Sequence, residues 1–218
     1  MRNIPRRRSL AVMADAVGLA WQGSLLAIGE ASVDRTFAHL QRHDLAGGAW
    51  VEHVPGWLAG ADEVFAQLLA TVPWAQHERH MYSGKVAEPR LRASWRLGGD
   101  AERIPPVVEE MAAVLRRRYD RPFDTVGLNL YRHGGDSVAW HGDRIPAEVV
   151  DPVVALVSVG EPRRLLLRPR GGGRSRSYQF GGGDLLVMGG TCQRTWEHTI
   201  PKVARAGPRI SLAFRHGL

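Results

Sequence analysis

The chain has 218 residues, among them 25 glycines, 13 prolines and one cysteine, Cys192, and its formal net charge is +7. This length suits one domain with a substantial core, and a lone cysteine excludes an intramolecular disulfide framework and favours the reducing cytoplasm. No window is apolar enough to predict a membrane span, whereas the positive charge favours an anionic partner.

The N-terminal segment concentrates four of the positive charges, at Arg2, Arg6, Arg7 and Arg8. We predict that residues 1–18 form a disordered basic tail, or that they result from a start codon placed upstream of the true one. No linker divides the remainder. We therefore predict that residues 19–218 form a single domain, and we expect a monomer.

Three helices are predicted in the N-terminal half. Ser32 can cap a first helix that extends to about His43. A second extends from Ala61 to about Thr71, because its apolar residues recur at i, i+4 spacing. A third, Val107 to Tyr119, follows two prolines, which favour a helix start, and ends in three arginines, which suit the negative end of the helix dipole.

From Thr125 onward, short apolar runs separated by turn residues predict eight strands. Their expected bounds are Val126–Tyr131, Val138–Asp143, Val153–Val159, Arg164–Arg168, Ser177–Phe180, Asp184–Met188, Trp196–Ile200 and Arg209–Arg215.

His141-Gly142-Asp143 and the distant His198 form a candidate metal-ligand set. Residues i and i+2 of a strand point to the same face, so His141 and Asp143 can bind one ion together. Two imidazoles and one carboxylate are the ligands of facial-triad iron(II) sites, which leave three coordination positions open. Eight short strands that carry an inward-facing metal site predict a jelly roll, two antiparallel sheets facing each other.

The last predicted strand, Arg209 to Arg215, alternates strictly. Its even positions are apolar, and its odd positions form a polar row with a guanidinium at each end. A solvent-facing edge would explain such a row in an arbitrary strand. Because this strand follows the three metal ligands, we interpret the row as two arginines that clasp a small dicarboxylate.

Taken together, Asn129-Leu130-Tyr131, His141-Gly142-Asp143, His198 and the strand from Arg209 to Arg215 resemble the signature of the AlkB family. Its members are iron(II)- and 2-oxoglutarate-dependent dioxygenases that remove alkyl groups from nucleic-acid bases. The resemblance covers about the last 90 residues, and Pro89-Arg90-Leu91 is similar to a segment near the substrate lid of some members. It implies a mixed α+β, mainly β fold: a double-stranded β-helix (jelly roll) core over about residues 125–218, with N-terminal helices and a substrate lid.

The resemblance also implies roles for individual residues. His141, Asp143 and His198 would hold the iron. Arg209 would bind the far carboxylate of 2-oxoglutarate, helped by Tyr131 and Ser211. Asn129 and Arg215 would lie at the end of 2-oxoglutarate that chelates the metal. In the family, O2 and 2-oxoglutarate are consumed to hydroxylate an N-alkyl carbon, and the product collapses to an aldehyde and the restored base.

The chain departs from the family pattern at two positions. The family often has asparagine where this chain has Ser211, whose hydroxyl can still donate to a carboxylate. Several base-repairing members carry an acidic residue two positions after the iron-binding aspartate, where this chain has Ile145. That change affects the identity of the substrate rather than the iron chemistry.

Candidate substrate contacts lie in two further segments. Pro89, Arg90 and Leu91 belong to the expected lid, and Trp95 either stacks on a flipped-out base or is an ordinary core tryptophan. Six arginines surround Gly171-Gly172-Gly173 without an acidic residue between them, which favours phosphate contact over a plain solvated loop. Of these we name Arg170, Arg174 and Arg176 as candidate nucleic-acid contacts.

Three functions are compatible with these features. The first is oxidative dealkylation of bases in DNA or RNA as repair of alkylation damage. The second keeps iron and 2-oxoglutarate but hydroxylates or demethylates a protein or small metabolite. The third is a non-catalytic nucleic-acid-binding jelly roll with a vestigial metal site, which the joint presence of three ligands and two arginines argues against.

Overall fold

The computed structural model describes residue 19 and residues 29–81, 84–99 and 104–217. The predicted basic tail, residues 1–18, lies outside them. The strands are β1 Ser32–Val33, β2 Gln41–Asp44, β3 Ala49–Val54, β4 Leu58–Ala59, β5 Ala75–Met81, β6 Gly84–Arg96, β7 Thr125–Tyr131, β8 Val138–His141, β9 Val154–Gly160, β10 Arg163–Pro169, β11 Arg176–Phe180, β12 Leu185–Gly190, β13 Trp196–Ile200 and β14 Arg209–Arg215. The helices are α1 Ala61–Thr71, α2 Pro106–Tyr119 and the single turn α3 Cys192–Thr195.

Two antiparallel sheets form the body of the molecule. The major sheet has the strand order β2-β3-β12-β9-β14-β7-β6-β5, and the minor sheet has the order β11-β10-β13-β8. Strands β1 and β4 pair separately. The non-consecutive neighbours are the crossovers of a jelly roll, so the predicted fold class is confirmed.

The major sheet is covered on both faces, which explains why its central strands are buried throughout. On its outer face, α1 and α2 pack against a core that includes Ile210, Leu212 and Phe214. Its inner face meets the minor sheet in a second core, to which Ala213 belongs. The period-2 alternation of β14 therefore separates an outer apolar face from an inner face that points between the sheets. An exposed edge, the alternative interpretation of this strand, is wrong.

Two of the three predicted helices are confirmed, α1 with the predicted bounds and α2 with a start one residue earlier. The first predicted helix, Ser32 to His43, is wrong. Asp34 accepts hydrogen bonds from the backbone N–H groups of Thr36 and Ala38, which close a single turn. The turn does not continue as a helix, because Phe37 has a left-handed φ of +56°. The residues on either side of this turn form the strands β1 and β2, which pair with β4 and β3, respectively.

The eight predicted C-terminal strands are all present with small shifts at their ends. The strands of the N-terminal half were not predicted. The two longest of them, β5 and β6, form an antiparallel hairpin that continues the major sheet beyond β7. No helix in the described part of the chain is long and apolar enough to cross a membrane.

Candidate metal centre and its cavity

The three predicted metal ligands meet between the two sheets. His141 ends β8 and is the cross-strand partner of His198 in β13, and Asp143 follows two residues later. The ligand atoms of the three side chains all lie within 4.8 Å of one another. His141 and His198 are 57 residues apart in the sequence, and the pairing of β8 with β13 brings them into one ligand set.

The protonation states of the centre suit a cation. Burial, together with the neighbouring His141, lowers the pKa of His198 to about 4, so this imidazole is neutral at pH 7. Burial alone would raise the pKa of Asp143, but the Arg215 guanidinium and the two imidazoles hold it below its usual range. The Nδ1 atom of His141 lies 2.8 Å from the carbonyl oxygen of Ala139, which leaves Nε2 for a metal.

The carboxylate of Asp143 is only half satisfied. Its Oδ1 accepts a hydrogen bond of 2.8 Å from Arg215 Nη2, whereas Oδ2 is buried and has no hydrogen-bond partner among the described residues. An unsatisfied buried carboxylate oxygen costs free energy unless a ligand binds it. Together with the imidazoles of His141 and His198, this oxygen fits a divalent metal of the iron(II) class.

The guanidinium of Arg209 is also only partly satisfied. The side chain is 1% exposed, and its Nε donates to Ser158 Oγ at 2.8 Å, but both terminal nitrogens are buried without a partner in the described part of the chain. Tyr131 and Phe180 flank it, with ring centroids 5.3 and 5.1 Å from its central carbon. Burial lowers the pKa of Arg209 to about 10, so it remains a cation at pH 7. Two free donors in a dry pocket fit one carboxylate.

A cavity of about 790 Å³ connects this arginine with the metal ligands. Asn129 and Ser211 are cross-strand partners on β7 and β14. Both line the cavity between Arg209 and the metal ligands. The opening carries exposed arginines, Arg92 and Arg96 on β6 and Arg144 after the metal-binding strand. The cavity thus joins the candidate metal ligands to the buried Arg209 and has exposed arginines at its rim.

A model of the 2OG-Fe(II) oxygenase superfamily matches residues 51–215, a span that includes every residue of this centre. The chain belongs to this superfamily. Iron(II), 2-oxoglutarate and O2, which were predicted from the sequence, are the cofactors of such oxygenases. The free carboxylate oxygen of Asp143 fits iron(II), and the free nitrogens of Arg209 fit 2-oxoglutarate.

The chain is also similar to curated proteins that are named as AlkB homologues. It is 32% identical over 182 residues to bovine "Alpha-ketoglutarate-dependent dioxygenase alkB homolog 3", covering 74% of this chain and 64% of the relative. It is 32% identical over 136 residues to Arabidopsis thaliana "DNA oxidative demethylase ALKBH2", covering 51% of this chain and 43% of the relative. The oxygenase thus spans less than two thirds of the length of either relative.

A solved structure of OsALKBH1 shares the fold of this oxygenase. The superposition has a TM-score of 0.57 at 13% identity and covers 81% of this chain and all of the other. At this identity the likeness concerns the fold alone, which agrees with the jelly roll described above.

The residues of the expected lid, Pro89 to Leu91, belong to β6 and divide between its two faces. Arg90 faces the cavity, where its Nε donates to Asn129 Oδ1 at 2.9 Å and its Nη2 pairs with Glu88 at 3.0 Å. Leu91 faces the other way and packs against the outer core. Pro89 is exposed and its carbonyl accepts from the backbone of Ser137. Arg90 is therefore engaged with Asn129 and Glu88 instead of standing free for a substrate.

Trp95 belongs to the same outward face as Leu91. It is 6% exposed, it lies opposite Val126 across the sheet, and it packs in the outer core. This placement leaves its ring little free surface for stacking on a base, and it agrees with the second interpretation of Trp95, a core tryptophan.

The arginines around the β10–β11 hairpin do not form one surface. Arg163 is buried and donates to the carbonyls of Asp136 and Pro201, so phosphate contact is wrong for this residue. Arg170 lies against Gly142, between two metal ligands, and donates to the carbonyl of Gln193 at 3.3 Å. Arg174 and Arg176 are exposed and line a different cleft, described below.

Two residues that support the site were not found from the sequence. Ser158, which orients Arg209, is the one hydroxyl in the apolar strand β9, and that interruption was a usable signal. Gln193, whose Oε1 accepts from the backbone N–H of Asp143 at 2.9 Å, gives no local signal, because α3 is a single turn remote from Asp143 in sequence.

Proposed function

We propose that this chain is an oxidative dealkylase that removes alkyl groups from damaged bases of DNA or RNA. The observation that carries the proposal is the cavity itself: a metal-ligand triad and a carboxylate-binding arginine at its inner end, and a rim of arginines at its mouth. A basic rim suits a phosphodiester backbone that leads a base inward. Relatives named as a DNA oxidative demethylase and as alkB homolog 3 support it.

In this proposal, separate residues bind the metal and the co-substrate. His141, Asp143 and His198 would hold iron(II) on one face, which leaves the other coordination positions open. Arg209, oriented by Ser158, would bind the far carboxylate of 2-oxoglutarate with its two free nitrogens. Iron(II) held by the triad would, with 2-oxoglutarate and O2, supply the oxidising chemistry that hydroxylates the N-alkyl carbon, and the alkyl group would then leave as an aldehyde.

The walls of the cavity would keep the reaction dry and aligned. Leu156, Leu165 and Ala213 line its inner part and exclude water from the carboxylate-binding end. Arg215 holds one oxygen of Asp143 and thereby turns the other toward the metal position. Gln193 fixes the backbone of Asp143 from behind. These contacts pre-organise the carboxylate so that it needs little rearrangement when metal binds.

The rim would receive the nucleic acid. Arg92 and Arg144 are exposed at the mouth of the cavity and would contact phosphates on either side of the flipped base. Ile145, which replaces an acidic residue of some relatives, packs against the inner core. It can offer a base only an apolar contact, so the preferred lesion should not depend on a carboxylate at this position.

The deciding experiment is incubation with singly alkylated single-stranded and duplex DNA and RNA oligonucleotides in the presence of iron(II), 2-oxoglutarate and O2. Loss of the alkyl mass is expected with the wild-type protein and not with Asp143→Ala. If succinate forms without nucleic acid but no oligonucleotide loses mass, the chain is a protein or metabolite hydroxylase. If neither occurs, it is a non-catalytic binding module.

A further inference from the structure

The jelly roll is open along a second edge, away from the metal. There the major sheet ends in β2 and the minor sheet ends in β11. Between them lies a cleft of about 810 Å³. The metal ligands lie on β8 and β13, and β8 is the opposite edge of the minor sheet. Three strand spacings separate β8 from β11, roughly 14 Å.

Strand register explains why this cleft is lined by polar rings and cations. His43 lies opposite Val51, whose side chain points between the sheets, so His43 faces the same way. Tyr178 of β11 also points between the sheets, and Arg176, two residues earlier, shares its face. At this edge Arg176 is exposed and His43 is half-buried, whereas Tyr178 remains buried between them and the core.

The floor of the cleft is built from three rings, of which Tyr178 is buried and His43 and His53 are half-buried. The ring centroid of Tyr178 lies 5.8 Å from that of His43 and 6.4 Å from that of His53. The hydroxyl group of Tyr178 is buried without a hydrogen-bond partner in the described part of the chain. His53 is held in place by Asp184, at 3.2 Å from its Nε2. Tyr178 thus backs the half-buried ring of His43, and a ring fixed in this way can stack with a base of any identity.

The wall of the cleft is cationic. Arg174 and Arg176 are exposed along it, and none of the residues that line it within the described part of the chain is acidic. A groove that combines cations with ring faces is the arrangement found in proteins that bind single-stranded nucleic acids. A small anion would need only one of these features, whereas a nucleic-acid strand uses both.

We propose that this edge cleft is a second nucleic-acid site, where Arg174 and Arg176 contact phosphates and the half-buried His43 contacts a base of the same strand that enters the metal cavity. The inference rests on the proposed function for its choice of ligand. Its consequence is that the protein holds a strand at two places, on opposite edges of the sandwich, and that long strands bind better than short ones.

The first test is the salt dependence of binding to an unmodified, fluorescently labelled single-stranded 20-mer, measured by anisotropy. Each phosphate contact on a single strand contributes about 0.7 to the slope of log K against log salt. The double variant Arg174→Gln/Arg176→Gln should lower that slope by about 1.4. The control Arg117→Gln/Arg205→Gln removes two exposed arginines outside the cleft and should keep the wild-type slope.

A second measurement connects the cleft to turnover. With an alkylated 20-mer and with a trinucleotide centred on the alkylated base, the wild type should show a lower KM for the longer substrate. In the Arg174→Gln/Arg176→Gln variant that advantage of length should disappear, while kcat for the 20-mer stays within about twofold, since the metal cavity is untouched.

The two proposals fail separately. A double variant with the wild-type salt slope overturns the second site, and the proposed function stands as long as the trinucleotide is dealkylated. If the slope falls as expected but no alkylated oligonucleotide is repaired, the cleft binds nucleic acid and the proposed dealkylation is wrong.

Discussion

At the scale of single residues, the site is defined by polar atoms that the protein itself leaves unsatisfied. Oδ2 of Asp143 and both terminal nitrogens of Arg209 are buried without partners among the described residues. A fold retains such groups at a cost of about 1–3 kcal/mol each unless ligands satisfy them. The proposed metal would satisfy the first of these groups, and the proposed co-substrate would satisfy the second.

Removal of the carboxylate should abolish metal binding without unfolding the protein. Asp143→Ala deletes one of three ligands and the negative charge that balances the cation. We expect iron(II) affinity to fall by at least two orders of magnitude in anaerobic titrations, with the far-ultraviolet circular dichroism spectrum retained. Undiminished affinity would contradict the assignment of the triad.

The geometry of Arg209 should matter as much as its charge. Arg209→Ala should weaken 2-oxoglutarate binding far more than Arg209→Lys, and both should weaken it, because lysine keeps the charge but lacks the paired donors. Calorimetric titration with 2-oxoglutarate in the absence of O2 measures both. Equal affinity in wild type and Arg209→Ala would mean that the buried guanidinium has a purely structural role.

Arg90 should act on the co-substrate through Asn129. Since its Nε donates to Asn129 Oδ1, the amide NH2 group of Asn129 must face away from Arg90. Arg90→Gln should weaken 2-oxoglutarate binding, and adding it to Asn129→Ala should cause no further loss. Arg92→Gln, which removes the next arginine on the same face of β6, is the matched control. Additive losses in the double variant would exclude action through Asn129.

At the scale of elements, strand pairing brings the site together and close packing keeps the register. Gly189 of β12 lies opposite Trp50 of β3. A Cβ atom at position 189 would lie 2.0 Å from Trp50 Cζ2, so glycine is the only residue that admits this indole. Trp50 in turn stacks on Tyr119, and the guanidinium of Arg42 also lies over its ring.

Gly189→Ala should therefore destabilise the protein by about 1–3 kcal/mol, because the indole must leave its position. Urea unfolding measures the free-energy difference. Gly29→Ala is the control, since nothing lies within 4 Å of a Cβ at that position and the gain in backbone stiffness is the same. If both variants have equal stability, the tryptophan moves freely and the packing argument is wrong.

At the scale of the whole molecule, the end of the last strand is tied to the start of β9. The backbone N–H of Val153 donates to Nε2 of His216 at 3.1 Å, which requires an unprotonated ring nitrogen. Burial, with the nearby Arg121, lowers the pKa of His216 below its ordinary 6.5, and Asp124 opposes this shift. The unfolded chain thus takes up a proton that the folded protein excludes.

This difference makes stability depend on pH in one direction. The contribution of His216 is fully present above about pH 6.5 and is lost as the pH falls through the lowered pKa. His216→Gln keeps an acceptor for Val153 but cannot titrate, so the loss of unfolding free energy between pH 7 and pH 5 should be smaller than in wild type. His39→Gln, at an exposed histidine, should leave the profile unchanged. An identical profile in His216→Gln would contradict the assignment.

The sequence by itself determined the C-terminal strands, two helices and the chemistry of the centre. Period-2 alternation in Arg209 to Arg215 and the spacing of His141 and Asp143 are local properties of the sequence. Such patterns predict a strand and its two faces correctly when one face is buried. The sequence alone did not determine β1 and β2, because Ser32 suits a helix cap as well as a strand. Only the pairing of β1 with β4 and of β2 with β3 decides between a helix and strands.

Only the tertiary structure decided which arginines and aromatic residues face a ligand. Trp95 and Arg90 lie on one strand, yet the first packs in the outer core and the second reaches Asn129. The arginines beside the glycine-rich hairpin likewise separate, with Arg163 buried among carbonyls and Arg174 on an open edge. The physical reason is that composition fixes a side chain's chemistry, whereas its exposure depends on contacts made by strands distant in sequence.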